Sequence, residues 1–499
     1  MESRVKIRLS LYGIISAITY MYLLLPTSPG ASVPVFILIQ FCLISFIVKD
    51  REKVKNKGIL MMIPIFIISL NCFISASYVW RTSNFFMIVL LYSVMILMMN
   101  GNLKLKDLNT EGIFKIILNT FEPFTNFIIP FRWAAEKSKN KEKNQLIKRI
   151  IIGITISVPC VLFLIIMLSS ADMIFNKNII SLNKWFFGLF DFYYVFRLIS
   201  GMFAGLYLFG HLYSVLAEKH DTIAELTFPN ANSAKKANGD VIVLNILLFS
   251  ILAIYTIFIV IQFKYLFSAG ELPYGLNYAE YARHGFFELV FLSVLNIALI
   301  LLTTYLLKDK IYIDKNKWAR LTKLMMIYLC VLTGILLVSS YYRMSLYDGA
   351  YGFTRLRIFV YMFLMFEAFG LLATLIYVIR HNFNILAVYA AVALTYYLTL
   401  NLVNVDSIIA RRNIDMYFSG QTKTVDMDYL MGLSADAAPQ IMRLLDDGVE
   451  IIVKNKARIY LTNLDELYGS MEYNWQSYNL SMERTRKLLS ANKDSLQFK

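Results

Sequence analysis

Cysteine is scarce in this 499-residue chain: there are four, and Cys42, Cys72, Cys160 and Cys330 each fall inside an apolar run. That placement excludes a disulfide framework and leaves no CxxC pair for a metal or redox centre, so the four act as small apolar residues. Histidine offers no second route to a metal, because His284 has no other His or Cys at ligand spacing. No P-loop, Rossmann glycine fingerprint, HExxH or GxSxG occurs, which argues against ATP-driven or hydrolytic chemistry. Membrane enzymes also work with dispersed residues, so an enzyme stays open, but no catalytic residue, metal or cofactor is assigned. A fixed-period repeat and a clear inverted repeat are both missing.

What is present is apolar sequence. Hydrophobic residues make up 58% of the chain, where soluble domains hold roughly 45 to 50%. The runs are continuous rather than alternating, and a backbone in hydrocarbon must satisfy its own hydrogen bonds, so they are expected to be helices. With about 20 residues needed per crossing, eleven spans are expected, near 9–25, 33–48, 59–79, 85–99, 150–168, 192–216, 241–263, 286–306, 321–340, 358–379 and 385–403. The first follows a short basic start but no A-x-A-type cleavage site, so it is expected to be an uncleaved span rather than a signal peptide.

The formal net charge of +15 would suit nucleic acid, but the positions of the basic residues point to the membrane instead. With the N-terminus inside, the segments on its side hold 28 Lys and Arg and the alternate loops hold 8. Positively charged loops resist translocation, which supports both the map and its direction. An odd number of spans then leaves the tail from Asn404 outside. The expected fold is therefore an all-α polytopic bundle with a small C-terminal extracytoplasmic helical domain. Its divisions are a four-span region at 1–99, a cytoplasmic and interfacial basic segment at 100–149, a seven-span core at 150–403 and the tail at 404–499. Within 100–149 the Ile- and Phe-rich part, 113–131, is broken by Glu122, Pro123 and Pro130 and is expected to lie among the headgroups.

Two features stand out within the spans. Gly201 and Gly205 have the small-xxx-small spacing that lets another helix approach closely, either within the chain or from a second copy. Asp191, Arg197, Glu288 and the deeper Glu367 are ionisable residues in the outer half of the spans, and even lenient insertion scales charge about 2.5 to 3.5 kcal/mol for an Arg or Asp at a helix centre. Arg197 and Glu288 come out at similar depth, as for an ion pair or for a substrate or proton site. Just above them runs KYLFSAGELPYGLNYAEYARHGFFELVFLSVLN, residues 264–296, where Glu271, Glu280, Arg283 and His284 would complete an outward-facing polar pocket, with Arg355 and Arg357 on the same side. Its tyrosines also suit an ordinary aromatic belt.

After the last span the composition becomes that of a helical domain. Residues 405–418 read as a helix stopped by Ser419-Gly420, Ser434 as an N-cap, and 449–468 as a helix with Ile452, Ile459 and Leu461 on its apolar face. Tyr429, Leu430, Met442, Leu444, Leu445, Tyr460, Trp475 and Tyr478 are expected to form a modest core. The link from the last span is too short for a flexible spacer, so the tail is expected to dock on the membrane domain, with Arg411 and Arg412 near headgroups or near Glu271 and Glu280.

Four motifs, NYAEYARHGFFELVFLSVLN, DSIIARRNIDMYFSG, DMDYLMGLSADAAPQIMRLL and NWQSYNLSMERTRKLL, resemble in this order those of a bacterial membrane family catalogued as domain of unknown function 4173. The resemblance runs from about residue 150 to the C-terminus. It implies a multi-pass protein of the bacterial cell membrane and supplies no activity. The expected role is an envelope scaffold, sensor or binding protein whose partners are the bilayer and an envelope protein or small molecule on the outer face. The alternative is a secondary transporter or lipid exporter with a polar path through Arg197, Glu288 and Glu367.

Overall fold

The computed structural model describes residues 3–26, 28–48, 56–104, 106, 108–136, isolated positions between 153 and 168, and 192–217, 239–262, 286–313, 317–471 and 474–496. Among these residues there is no strand. In chain order the helices are α1 (Ser3–Leu23), α2 (Ser32–Val48), α3 (Met62–Ile74), α4 (Arg81–Asn100), α5 (Thr110–Asn119), α6 (Glu122–Thr125), α7 (Ile129–Glu136), α8 (Phe192–Leu216), α9 (Val241–Gln262), α10 (Phe286–Tyr312), α11 (Lys317–Tyr351), α12 (Arg355–Arg380) and α13 (Ile385–Leu402). The tail adds α14 (Val405–Phe418), α15 (Met427–Met431), α16 (Ala438–Ile441), α17 (Ile451–Gly469) and α18 (Leu480–Ala491).

Seven of the described helices, α4 and α8 to α13, are long and apolar enough to cross a membrane. The other four expected spans fare differently. α1 is long enough but carries Arg4, Lys6 and Arg8 in its first two turns, while α2 and the apolar helical stretch Gly58–Ile74 that ends in α3 are shorter than the seven, short of a ~30 Å core at 1.5 Å per residue. The expected span at 150–168 lies outside the described residues, apart from isolated positions.

Packing groups the helices by contact rather than by order. α1 lies along α8, and α2, α3 and α4 complete that group, around Tyr12, Ile44, Met95 and Phe209. α9 to α12 form the second group, with Leu248, Ile300, Met326 and Leu336 fully buried. α13 packs on both α3 and α12 and joins them. α8 thus sits with the first four helices.

Close approach of α1 and α8 comes from small residues. A Cβ on Gly205 would lie 2.5 Å from the Gly13 carbonyl oxygen and 2.8 Å from Ala17 Cβ, and one on Gly201 would run into Met21 Cγ. The partner of the Gly201 and Gly205 surface is therefore this chain's own first helix.

The 113–131 region breaks where its sequence says it should. Asn109 caps α5 by accepting from the Gly112 N–H at 2.7 Å, α6 starts at Glu122-Pro123, and α7 starts one residue before Pro130. Ile113, Phe114, Ile117 and Phe121 are exposed. Glu122 is buried against α8, where it accepts from Ser214 Oγ at 3.2 Å.

α14 runs from 405 to 418 and ends at Ser419, with Gly420 at φ +74°. α17 differs from its sequence reading: Ile452 and Ile459 are exposed, and the buried face is Val453, Ala457, Tyr460, Leu461 and Tyr468. Those positions recur at helical spacing on a face turned toward α15, α18 and the 442–445 turn, which two of the three expected positions miss. Ser434 stands at the N-cap of the 435–437 turn as expected, but its hydroxyl makes no capping bond and donates to Asp436 at 3.0 Å instead. Trp475 and Tyr478 lie outside the tail core and pack instead on Tyr22 and Phe73, at 6.5 and 6.0 Å between ring centroids.

Candidate functional site

The tail caps one end of the helices by gripping three separate turns. The turn after α1 is held through backbone: the Ala31 N–H donates to the Tyr478 carbonyl at 2.9 Å, and Gly30 is so close to residues 477 and 478 that a Cβ would meet the Ser477 carbonyl carbon at 2.5 Å. The end of α3 is held through side chains. Asn479 donates to the carbonyls of Cys72 and Ser75 at 3.0 and 2.8 Å, which serves the orphan carbonyls of a helix C-terminus. Asp436, buried in the tail, accepts from Ser75 Oγ at 2.8 Å and from the Ala76 N–H at 3.1 Å, and also from the hydroxyls of Ser434 and Ser481.

The third turn joins α11 to α12. Asn413 of α14 clamps it, accepting from the Phe353 N–H at 2.6 Å and donating to the Phe353 carbonyl at 2.9 Å. Gly352 takes φ +73° there, a conformation that favours glycine. Arg355 donates from Nε and Nη2 to the two oxygens of Asp406 at 2.6 and 2.7 Å, a bidentate pair of the strong kind. The Tyr429 hydroxyl accepts from the Arg355 N–H at 2.8 Å.

Burial alone would raise the Asp406 carboxyl, but the bonds from Arg355 and Ser434 and the Arg355 charge outweigh it and hold the group below the usual carboxylate value. The Tyr460 hydroxyl is pushed up to about 12, first by burial and then by Asp406 and Asp436. Because the folded state depresses the Asp406 value, the pair contributes stability that is present above the unfolded value of about 3.9 and lost as pH falls through the folded one. Asp406→Asn is therefore expected to cost about 3 kcal/mol at neutral pH and to flatten the loss of stability on acidification. Thermal unfolding followed from pH 7 to pH 3 checks both.

Beside the third turn a groove of about 960 Å3 opens between α11, α12 and α14. Its deep walls are apolar, with Leu337 and Val338 on α11 and Met362, Met365 and Ala368 on α12. Tyr341 and Tyr361 face each other edge-to-face at 5.4 Å at mid-height, and Arg412, Asp415, Ser419 and Gln421 rim the top.

The structure separates the expected polar cluster. Arg197 donates from Nε to the Met21 carbonyl at 2.8 Å, so its charge serves the C-terminal end of α1. Glu288 is exposed in the first turn of α10, where a carboxylate suits the helix dipole. α8 packs on α1, α4 and α6, whereas α10 packs on α11 and α12, and no salt bridge among the described residues joins Arg197 to Glu288. Glu367 is buried and accepts from Ser293 Oγ at 2.5 Å. Arg357 faces Asp348 at 3.4 Å. Arg411 lies 3.7 Å from Asp415. Asp191, Glu271, Glu280, Arg283 and His284 lie outside the described residues. Among the described residues no three His, Cys, Asp or Glu side chains gather as a metal would need.

Sequence reasoning missed Asp406, Asp436 and Asn479 as the joint, although each stands inside one of the quoted motifs. The available signal was a lone acid or amide beside a helix start, which names a cap but not a distant partner.

The profile of DUF4153, a domain of unknown function, matches residues 34–444. The chain belongs to the DUF4153 family. The matched region runs from α2 to the end of the Asp436 segment, so it takes in Arg355, Asp406, Asp436 and the whole groove, and stops short of Asn479. The four motifs pointed to the family numbered 4173; the match is to DUF4153, which carries no assigned activity either. No curated protein and no solved structure matches the chain.

Proposed function

We propose that the protein is a binding or scaffold protein of the bacterial cytoplasmic membrane, with eleven spans, an inside N-terminus, and a tail that closes an outward-facing ligand groove. The reading rests on where the groove ends. Its deepest wall residue on α12 is Ala368, while the neighbouring Glu367 turns away to Ser293 on α10 and is not part of the lining. A groove whose lining leaves out the buried acid suits binding, whereas transport calls for a path that reaches it. An envelope protein docking on the tail and a small ligand in the groove are the partners this arrangement suits.

The orientation rests on the 28 to 8 partition of basic residues and on the tail gathering the turns after α1, α3 and α11, which the charge map puts on one side. A reporter active only outside the membrane, fused after Lys499, is expected to be active. Silence from a stably inserted fusion would contradict the orientation.

The exporter reading keeps one observation of its own: Glu367 Oε2 has no hydrogen-bond partner among the described residues. On that reading Glu367→Gln abolishes transport in vesicles; on the binding reading it leaves groove occupancy unchanged.

A further inference from the structure

We propose that the groove binds an anionic lipid taken sideways from the bilayer, with its headgroup at Arg412 and an acyl chain lying along α11 and α12. The proposal deepens the reading of the groove as a ligand site and rests on it. The walls are graded as such a molecule is graded: charged and polar groups at the α14 rim, the Tyr341 and Tyr361 pair below, and aliphatic and thioether side chains at depth.

Charge selects the headgroup. Arg411 and Arg443 both reach Asp415, at 3.7 and 2.8 Å, so this rim carboxylate is shared by two guanidinium groups. Arg412 lines the groove, is exposed, and makes no ion pair among the described residues. The second carboxylate of the lining, Asp348, is buried and faces Arg357 at 3.4 Å, so it does not offset Arg412. The rim therefore carries positive charge with only one carboxylate to balance three arginines, and the donor set of Arg412 suits a phosphate.

Length and access select a chain over a free headgroup. From Ile358 to Ala368 the α12 wall descends about 15 Å by helical rise, to about the midplane of a ~30 Å hydrocarbon core. The volume of about 960 Å3 lies at the upper end of small-ligand sites. Val338, Tyr341 and Met365 are exposed on the flank of the bundle, so the groove opens toward hydrocarbon, and Met362 and Met365 are flexible enough to accept chains of different shape.

The test uses the full-length protein in nanodiscs holding equal phosphatidylglycerol and phosphatidylcholine, with retained lipid read by native mass spectrometry. The wild type is expected to retain phosphatidylglycerol about tenfold over phosphatidylcholine, the size of one charge-assisted contact. Arg412→Gln, at an exposed position, is expected to bring the two to near parity with unchanged thermal unfolding. Met365→Trp, which fills the deep wall, is expected to lose both lipids, and Ala368→Phe serves the same purpose should that variant fail to fold. Glycerol phosphate, a headgroup without a chain, is expected to displace nothing.

Equal retention of the two lipids by the wild type, with loss of both in Met365→Trp, would overturn the anionic headgroup and leave the groove reading standing. Undiminished retention of both lipids in folded Met365→Trp and Ala368→Phe would overturn the lipid proposal and the groove reading together. Displacement by glycerol phosphate would replace the lipid with a soluble anion.

Discussion

Asp436→Ala is expected to free the end of the tail from α3. The carboxylate collects donors from both sides of the joint: Ser75 Oγ and the Ala76 N–H on the membrane helices, Ser434 and Ser481 on the tail. Removing it leaves those donors facing a void in a region where Asp436 is 3% exposed. Taking away one member of a buried charged network costs on the order of 3 to 5 kcal/mol. The tail keeps its own core around Ile409, Leu430, Ile441 and Leu461, so it stays folded while its grip on α3 fails. Limited proteolysis of the membrane-embedded protein should then open new cuts between α17 and α18. Asp436→Asn keeps acceptor capacity on one oxygen and is expected to lie between the variant and the wild type.

The α1–α8 contact gives the second large effect, and it distinguishes two glycines that look alike in sequence. A methyl on Gly201 meets mainly the side chain of Met21, which can rotate away, with the Ala17 carbonyl oxygen at 3.1 Å; a methyl on Gly205 meets the Gly13 carbonyl oxygen at 2.5 Å, which moves only if the helices part. Gly201→Ala is expected to be nearly neutral and Gly205→Ala to cost about 1 to 3 kcal/mol, with Gly205→Leu worse and reducing the amount of protein in the membrane. Thermal unfolding of the two alanine variants checks the order, and equal effects would show that the helices are not pressed together at Gly205.

Much of this arrangement was legible along the chain because its causes are local. Hydropathy marked the helices, Ser419-Gly420 ended α14, and Glu122-Pro123 and Pro130 divided 113–131. Small residues at Gly201 and Gly205 announced a close partner without naming it. The charge map put Arg197 and Glu288 at one expected level, but an expected level says nothing about which helices are neighbours. Pairing across the fold was not legible: Asp406 meets Arg355 from 51 residues away and Asp436 meets Ser75 from 361 away. A short charged side chain near a helix end carries no mark of its distant partner. The groove was illegible for the same reason, since its walls are ordinary faces of α11 and α12 until α14 is laid over them.

The central claim is that the tail is folded onto the ends of the membrane helices, and a disulfide crosslink tests it most directly. Ala31 and Tyr478 meet backbone to backbone at 2.9 Å, on opposite sides of the joint. With the four native cysteines replaced, the double variant Ala31→Cys with Tyr478→Cys, oxidised in membranes, is expected to form the intramolecular bond in most molecules. No crosslink in protein that is folded and inserted would mean that the tail stands off the membrane helices, and the joint and the groove beside it would both be contradicted.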